Sequence, residues 1–406
     1  MPITFEKQIY DNVHGYIGLT SEELRIIDSP IFQRLRYIKQ LGPAFLVYPG
    51  AVHTRFEHSL GTMFMMDMFL KDGVREEIDA EMVQKLRFVG LLHDIGHYPF
   101  SHTFESTIQE RFGGKSHEKL GTEIIKRYLK DELENYNPEE ITKLIVGKGS
   151  HEFGMLISSS LDADRADYML RDSYNSGVSY GRVNIDSILR TATFESDKII
   201  FERDDGPVES FVIGRYHLYK ALVYNKTVAG FNILLDRIYT SLVEEGFVAD
   251  PTGLLSEEAL IAGYVDDAIL EASRKYAVSG KNPEVRKMAT MFLSRRPLEL
   301  AYAEPETLEA KKLKKQKSYV ESLIDDQEAR RELAKKAGIE EEWILPARMK
   351  PLEFIKEEEE IYIRKGGLVP VSKGGSPMMK MVLGKVLRSS RIYTKKGYGK
   401  RVRDAL

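Results

Sequence analysis

The segment Leu86–His97, LRFVGLLHDIGH, constrains everything else in the chain. Its apolar run predicts a buried helix within 79–97, yet that run ends on His93, Asp94 and His97. Burying three ionisable groups at a helix end is costly unless something offsets their charge, and a divalent metal does so. Adjacent helical positions diverge by about 100°, so His93 and Asp94 can approach one ion from two sides. His97 falls one turn beyond His93 on the same face, and Pro99 then stops the helix. The competing reading is a solvated helix end with incidental histidines. Against it, five of the nine histidines cluster in sequence at 58, 93, 97, 102 and 117.

His58 and Asp164 complete an imidazole and carboxylate set that suits Fe, Mn, Zn or Co, none of which needs thiolate. The chain has no cysteine, which removes disulfides, thiolate zinc sites and cysteine nucleophiles together. In Leu161–Asp172, LDADRADYMLRD, the residues Asp164, Tyr168 and Asp172 recur every four positions. They form a polar stripe about 12 Å long on a helix, the span from a phosphate to a sugar. Asp164 would hold metal, Tyr168 contact phosphate and Asp172 accept a hydrogen bond from a sugar hydroxyl. The alternative is an exposed face with Asp167 and Arg171 as an ordinary i,i+4 charge pair.

Apolar spacing near 3.6 predicts helices at 21–41, 56–72, 79–97, 117–131, 137–147, 161–174, 184–191 and 209–245. Thr20 and Asn137-Pro138 read as helix starts, and Asp250-Pro251 as the close of the longest helix. Residues 1–20 read as a short strand pair or loop turning at Tyr10–Gly15; 198–202 and parts of 361–394 read as strands. The expected architecture is mainly α: a helical core over 1–300, a charged helical connector over 301–349, and a small basic α+β or β-ribbon appendage over 350–406. The connector includes the run Lys311–Lys315 and acidic Glu340–Glu342. Residues 373–376 lack the spacing of a phosphate-binding Walker loop.

Net charge is −3, but from Arg364 onward twelve Lys/Arg face a single acid, Asp404. A basic tail on an acidic body is either a polyanion-binding or subunit-docking element or a solvated extension. No apolar run approaches the roughly 20 residues that span a bilayer, and the first residues lack a signal peptide's pattern, so the expectation is a cytoplasmic protein without membrane contact.

Six blocks carry a resemblance: DSPIFQRLRYIKQL at 28–41, YPGAVHTRFEHSLG at 48–61, HDIGHYPFSH at 93–102, His117-Glu118, residues 161–172, and RYHLYKALVYNK at 215–226. In this order they resemble the HD-domain phosphohydrolases, specifically the deoxynucleoside triphosphate triphosphohydrolases related to the SAM-and-HD-domain enzyme, over roughly residues 1–300. The resemblance implies an HD-domain helical phosphohydrolase core with metal ligands His58, His93, Asp94 and Asp164. It implies Arg55, Arg165, Tyr168 and Arg215 on the triphosphate, and Gln40, Leu41 and Asp172 around the sugar. His97 and His117 would face the α-phosphate, while His102, assisted by Glu105, would protonate the leaving 5′-oxygen. The implied reaction releases intact triphosphate and a nucleoside, with metal-bound hydroxide attacking the α-phosphorus and Mg²⁺ accompanying the nucleotide.

Asp28, Gln33 and Arg36 match a guanine-nucleotide activator site, and a dimer or tetramer is implied. Their competing reading is helix surface or a subunit contact. Tyr10 and Leu300 stand where the family's activator site has Asn and Lys, and Val223 stands where it often has an aromatic against the sugar. Two alternatives follow: an HD phosphohydrolase of ribonucleoside triphosphates, an alarmone or nucleotide monophosphates, and a nucleic-acid-binding regulator that uses the basic tail. Nucleic acid is not the expected partner.

Overall fold

The computed structural model describes residues 3–71, 78–146, 153–195, 198–202, 206–310, 318–354, 361–364, 366–382 and 384–406. The lysine run at 311–315 lies outside them. The body is mainly α-helical, with small sheets concentrated toward the C-terminus. Lys7–Asp11 and Gly15–Leu19 form an antiparallel hairpin, and Gly15 supplies its left-handed residue at φ +75°.

The helices that matter approach one another closely at glycines. Arg55–Lys71 lies against Ala80–Leu92, where a methyl on Gly90 would meet the Met63 backbone at 2.9 Å. Arg55–Lys71 also crosses Ala163–Ser176, with Gly61 facing Asp167 and Arg171. Gly96 lets the turn after Leu92 approach the helix His117–Tyr128: a methyl there would stand 2.0 Å from the His117 carbonyl oxygen. These contacts draw 58, 93–97, 117 and 164 toward one another.

Several expected helices are divided. Over 21–41 only Ser21–Ile27 and Pro30–Gln33 are α-helical, followed by a 3₁₀ turn, Arg34–Tyr37. Pro30 has no N–H with which to continue the first helix, and Ser29 caps the second by accepting from Phe32 N–H. The expected 209–245 helix is Gly206–Leu222 and Lys226–Glu244, because the Asn225 side chain accepts from Thr227 and Val228 N–H groups and starts a new helix. Asp250 caps the short turn Pro251–Ser256 rather than closing that helix. Helices Glu258–Ala262, Asp266–Ser279 and Pro283–Leu293 went unread in the sequence.

The stretch read as a charged connector carries strands Thr307–Ala310 and Leu345–Arg348 as well as helices Tyr319–Asp325 and Gln327–Ala337. Lys198–Phe201 pairs in parallel with Ile361–Arg364, so the C-terminal region shares a sheet with the body. Trp343, Met349, Leu352 and Phe354 join the same apolar core as the helices of the body. Among the described residues no helix is long and apolar enough to cross a membrane.

Candidate active site

His58 sits one turn into its helix, fully buried. Its Nδ1 bonds Asp167 at 2.7 Å, which leaves Nε2 directed at Asp164 Oδ1, 3.1 Å away, and Asp94 Oδ2, 3.5 Å away. His93 is the cap that ends the helix Ala80–Leu92, and its Nδ1 donates to the Gly90 carbonyl at 2.8 Å. That bond turns its Nε2 toward Asp94 Oδ1 at 3.4 Å and Asp164 Oδ1 at 3.8 Å. Both Nε2 atoms are buried without a hydrogen-bond partner. Donor atoms of His58, His93 and Asp94 lie within 4.8 Å of one another. Two orphaned imidazole nitrogens facing carboxylates fit a divalent metal, whose identity this donor set leaves open among first-row ions.

The helix does not continue through His97 as the spacing suggested. It stops at Leu92, and residues 93–96 form a turn. His97 therefore reaches Asp94 Oδ1 from the turn, at 3.1 Å, and packs away from His93. It stacks on His117 with centroids 4.0 Å apart and meets the edge of His102 at 4.8 Å. Glu105 bridges the pair behind it, accepting from His102 Nδ1 at 2.8 Å and from His117 Nδ1 at 2.6 Å. Burial and the positive field of Arg55 and His117 hold His97 well below the ordinary histidine pKa. Crowding by the surrounding protein, with Lys350 and Arg55 near by, lowers the His102 pKa although its side chain stays 38% exposed, the Glu105 bond working against the shift.

Backbone strain places His102. Phe100 and Ser101 have φ +54° and +57°, a region that costs non-glycine residues about 1–3 kcal/mol each. Asp266 holds the kink, accepting from Phe100 N–H at 2.6 Å and from Lys39 N–H at 3.0 Å. Arg55 braces it from the other side, with Nε on Ser101 Oγ at 2.9 Å and Nη1 on Asp94 Oδ2 at 2.5 Å. Asp266 was invisible to sequence reasoning, since nothing local links it to position 100.

The remaining candidates divide into two groups. Asp164, Tyr168 and Asp172 do share one helix face, and Arg165 pairs with Asp162 at its N-terminus. Arg215 and Arg165 lie near Tyr168, whose hydroxyl is kept neutral chiefly by burial. Arg215 Nε is buried without a partner, and its Nη1 donates to the Phe354 carbonyl at 3.4 Å. Asp172 pairs with buried His53 at 2.8 Å, and Gln40 N–H donates to the His53 carbonyl. Gln40 Oε1 is likewise buried and unpartnered, with half-buried Leu41 beside it in sequence. Asp28, Gln33 and Arg36 lie elsewhere. Arg36 Nε donates to Gln33 Oε1 at 2.8 Å and stacks on Phe56, while Asp28 is exposed at the end of the first helix.

Asp167 and Arg171, whose pairing on an exposed face was the alternative reading of this helix, do pair but are both fully buried. Asp167 accepts from His58, from His14 at 2.6 Å and from Arg171 twice at 2.9 Å, and Arg171 also binds Asp11. The i,i+3 step from Asp164 to Asp167 was the available signal for this role. Nothing in the sequence pointed to His14, His53 or Lys350.

A family model described as the HD domain matches residues 55–172. The chain carries an HD domain. That interval runs from Arg55 through the His58, His93 and Asp94 positions to Asp172. An uncharacterized protein of Methanocaldococcus jannaschii is 43% identical over 244 residues, 59% of this chain and 50% of that one. The deoxynucleoside triphosphate triphosphohydrolase SAMHD1 homolog of Dictyostelium discoideum is 34% identical over 190 residues, 43% of this chain and 37% of that one. The chain spans about half the length of the curated relatives it matches. A solved hypothetical protein from Aquifex aeolicus superimposes with TM-score 0.76 at 25% identity, covering 98% of this chain and 99% of that one.

Proposed function

We propose that this protein is a metal-dependent phosphohydrolase that cleaves deoxynucleoside triphosphates to deoxynucleoside and inorganic triphosphate. The observation that carries the proposal is the adjacency of two constellations. The orphaned Nε2 atoms of His58 and His93 face Asp94 and Asp164, and the His97, His102 and His117 cluster abuts them through Asp94. A metal held by His58, His93, Asp94 and Asp164 would supply Lewis-acid polarisation of a phosphoryl oxygen and activation of the attacking water.

The chain's own groups then divide the work. Arg55, Arg165 and Arg215 offset the negative charge of the triphosphate, and Tyr168 contacts a phosphate oxygen. Water adds to the α-phosphorus, the bond from phosphorus to O5′ breaks, and His102 delivers the proton that O5′ requires. Glu105 accepts the Nδ1 proton of His102, so a proton on Nε2 is the one poised for transfer. With His102 held neutral in the free protein, the substrate's own negative charge brings that proton back by countering Lys350 and Arg55.

Sugar recognition rests on Asp172 held by His53, with Gln40 Oε1 unpartnered beside them and Leu41 adjacent. The printed name of the Dictyostelium relative supports the deoxynucleoside triphosphate. Val223, half-buried where the two long helices break, favours a second reading in which ribonucleoside triphosphates are also cleaved. The proposal extends to a homo-oligomer regulated by a nucleotide at Asp28, Gln33 and Arg36. The support for the nucleotide site is Arg36, which lines a 470 Å³ cleft with Tyr10, Asn12 and Glu57; Asp28 and Gln33 are not part of that lining.

Product analysis over the eight common NTPs and dNTPs, singly and in mixtures with Mn²⁺ or Mg²⁺, tests the reading. Tripolyphosphate and deoxynucleoside are expected. Release of orthophosphate or pyrophosphate would overturn it, and acceleration in mixtures would report the activator.

A further inference from the structure

We propose that Lys350 is a triphosphate-binding residue, delivered to the catalytic cleft by the C-terminal region. The inference rests on the polyphosphate reading of the site and adds a residue that lies far outside the HD domain. Lys350 sits in the three-residue connection between strands Leu345–Arg348 and Leu352–Glu353. The first strand is hydrogen-bonded to Ser390–Thr394 and the second to Lys385–Arg388, so both ends of the connection are fixed in sheets. Met349, Leu352 and Phe354 on either side are buried in the main core, while Lys350 itself is exposed.

The connection is also fastened to the helix that carries Arg215. Tyr219 Oη donates to the Lys350 carbonyl at 2.8 Å, Arg215 donates to the Phe354 carbonyl, and Tyr216 stacks on Phe354 with centroids 5.7 Å apart. From this position the Lys350 ammonium feels the charges of Glu105, Arg55, Asp164 and Arg215, and acts in turn on His102. Those residues belong to the cluster around His58, to the histidine cluster with Glu105, and to the arginines Arg55 and Arg215. Crowding by the surrounding protein and repulsion from Arg55 and Arg215 lower the ammonium's pKa to about 8 against Glu105 and Asp164, although the side chain keeps access to solvent.

Among the described residues no carboxylate forms an ion pair with Lys350, and its ammonium makes no hydrogen bond. Lys350 thus keeps its ammonium open to solvent and free to meet an anion, and the neighbouring Arg55 and Arg215 charges favour the arrival of a polyanion. A triphosphate supplies that anion, and lysine meets it as a mobile point charge that complements the planar forks of Arg55 and Arg215. The C-terminal region thereby becomes part of the substrate site.

The test uses the full chain loaded with Mn²⁺, as wild type, Lys350→Ala and Lys350→Arg. The probe is inorganic tripolyphosphate, its affinity read by calorimetry, alongside kcat and KM for a cleaved nucleoside triphosphate. Lys350→Ala should weaken tripolyphosphate binding about 10-fold or more and raise KM similarly, as loss of a charged hydrogen bond predicts. Lys350→Arg should recover most of the affinity, with metal content and Tm unchanged in both, which a merely structural role would not produce. Equal tripolyphosphate affinity in wild type and Lys350→Ala at equal metal content would overturn the inference, as would failure of the wild type to bind tripolyphosphate. A wild type that binds tripolyphosphate yet cleaves no nucleoside triphosphate would remove the functional reading, while the binding comparison would still decide the role of Lys350.

Discussion

His58 Nδ1 lies 2.7 Å from a carboxylate oxygen of Asp167, and this one bond decides which ring nitrogen faces the cluster of carboxylates. The same carboxylate is clamped by His14 and Arg171, so the imidazole is oriented by a buried network. A ligand fixed in this way keeps its lone pair aimed without loss of side-chain entropy on binding.

Asp167→Asn should therefore weaken metal binding about 10- to 100-fold, the usual effect of removing such a supporting carboxylate. Arg171 retains Asp11, so the variant should remain folded. Metal content after dialysis against a graded chelator, with circular dichroism as the control, measures this; full retention of metal would refute the orienting role. His93→Ala with Asp94→Ala should abolish both metal content and turnover.

Gly61 marks where the two ligand helices touch. A methyl at this position would stand 1.9 Å from Asp167 Oδ1 and 2.4 Å from Arg171 Nη2. Gly61→Ala should cost about 1–3 kcal/mol by overpacking and should release metal as well, because the carboxylate it displaces orients His58 through its other oxygen, Oδ2. Gly253, with nothing within 4 Å and no left-handed φ, is the matched control and should tolerate alanine with little change in Tm.

Metal loading should expel a proton. Burial opposes a charge on His58, but Asp164, Asp167 and Asp94 outweigh it and raise its pKa from 6.5 to about 10 in the metal-free protein. This stabilisation is fully present below pH 6.5 and is lost as pH rises through about 10, since the native state holds the proton that the unfolded chain has released. A metal needs Nε2 unprotonated, so near pH 8 about one proton should leave per ion bound. Calorimetry in two buffers of different ionisation heat counts it, and a count of zero would contradict the assignment of His58 as a ligand.

Asp236 offers a stabilising substitution away from the metal. Its Oδ2 accepts from Thr107 Oγ1 at 2.9 Å, its Oδ1 is unpartnered, and burial raises the carboxyl to about 7. The folded state thus prefers the protonated form, and the stability that preference gives fades as pH rises from the ordinary carboxyl range through 7. Asp236→Asn should raise stability at pH 8 by about 1–2 kcal/mol and change it little at pH 5. Thermal melts at the two pH values give the answer.

The helical fold class and the ligand types were legible because both rest on short-range regularity. The apolar run before His93, the four-residue recurrence of Asp164, Tyr168 and Asp172, and the Thr20 cap are all local patterns. Helix ends were less legible: the break at Asn225 depended on a side chain capturing two backbone N–H groups. Position 97 was misplaced because the helix gives way to a turn at His93, where Gly96 must approach His117.

By itself the sequence determined which groups could bind a metal and that the helix presenting them would be buried, since apolar periodicity and residue chemistry are properties of neighbouring positions. Tertiary structure alone decided that Asp167 is buried beneath His58, that Asp266 holds the strained backbone before His102, and that the connection carrying Lys350 is hydrogen-bonded to the helix of Arg215. Each of these joins residues far apart in the chain. Such contacts follow from how helices and sheets close on one core, and no local spacing encodes them.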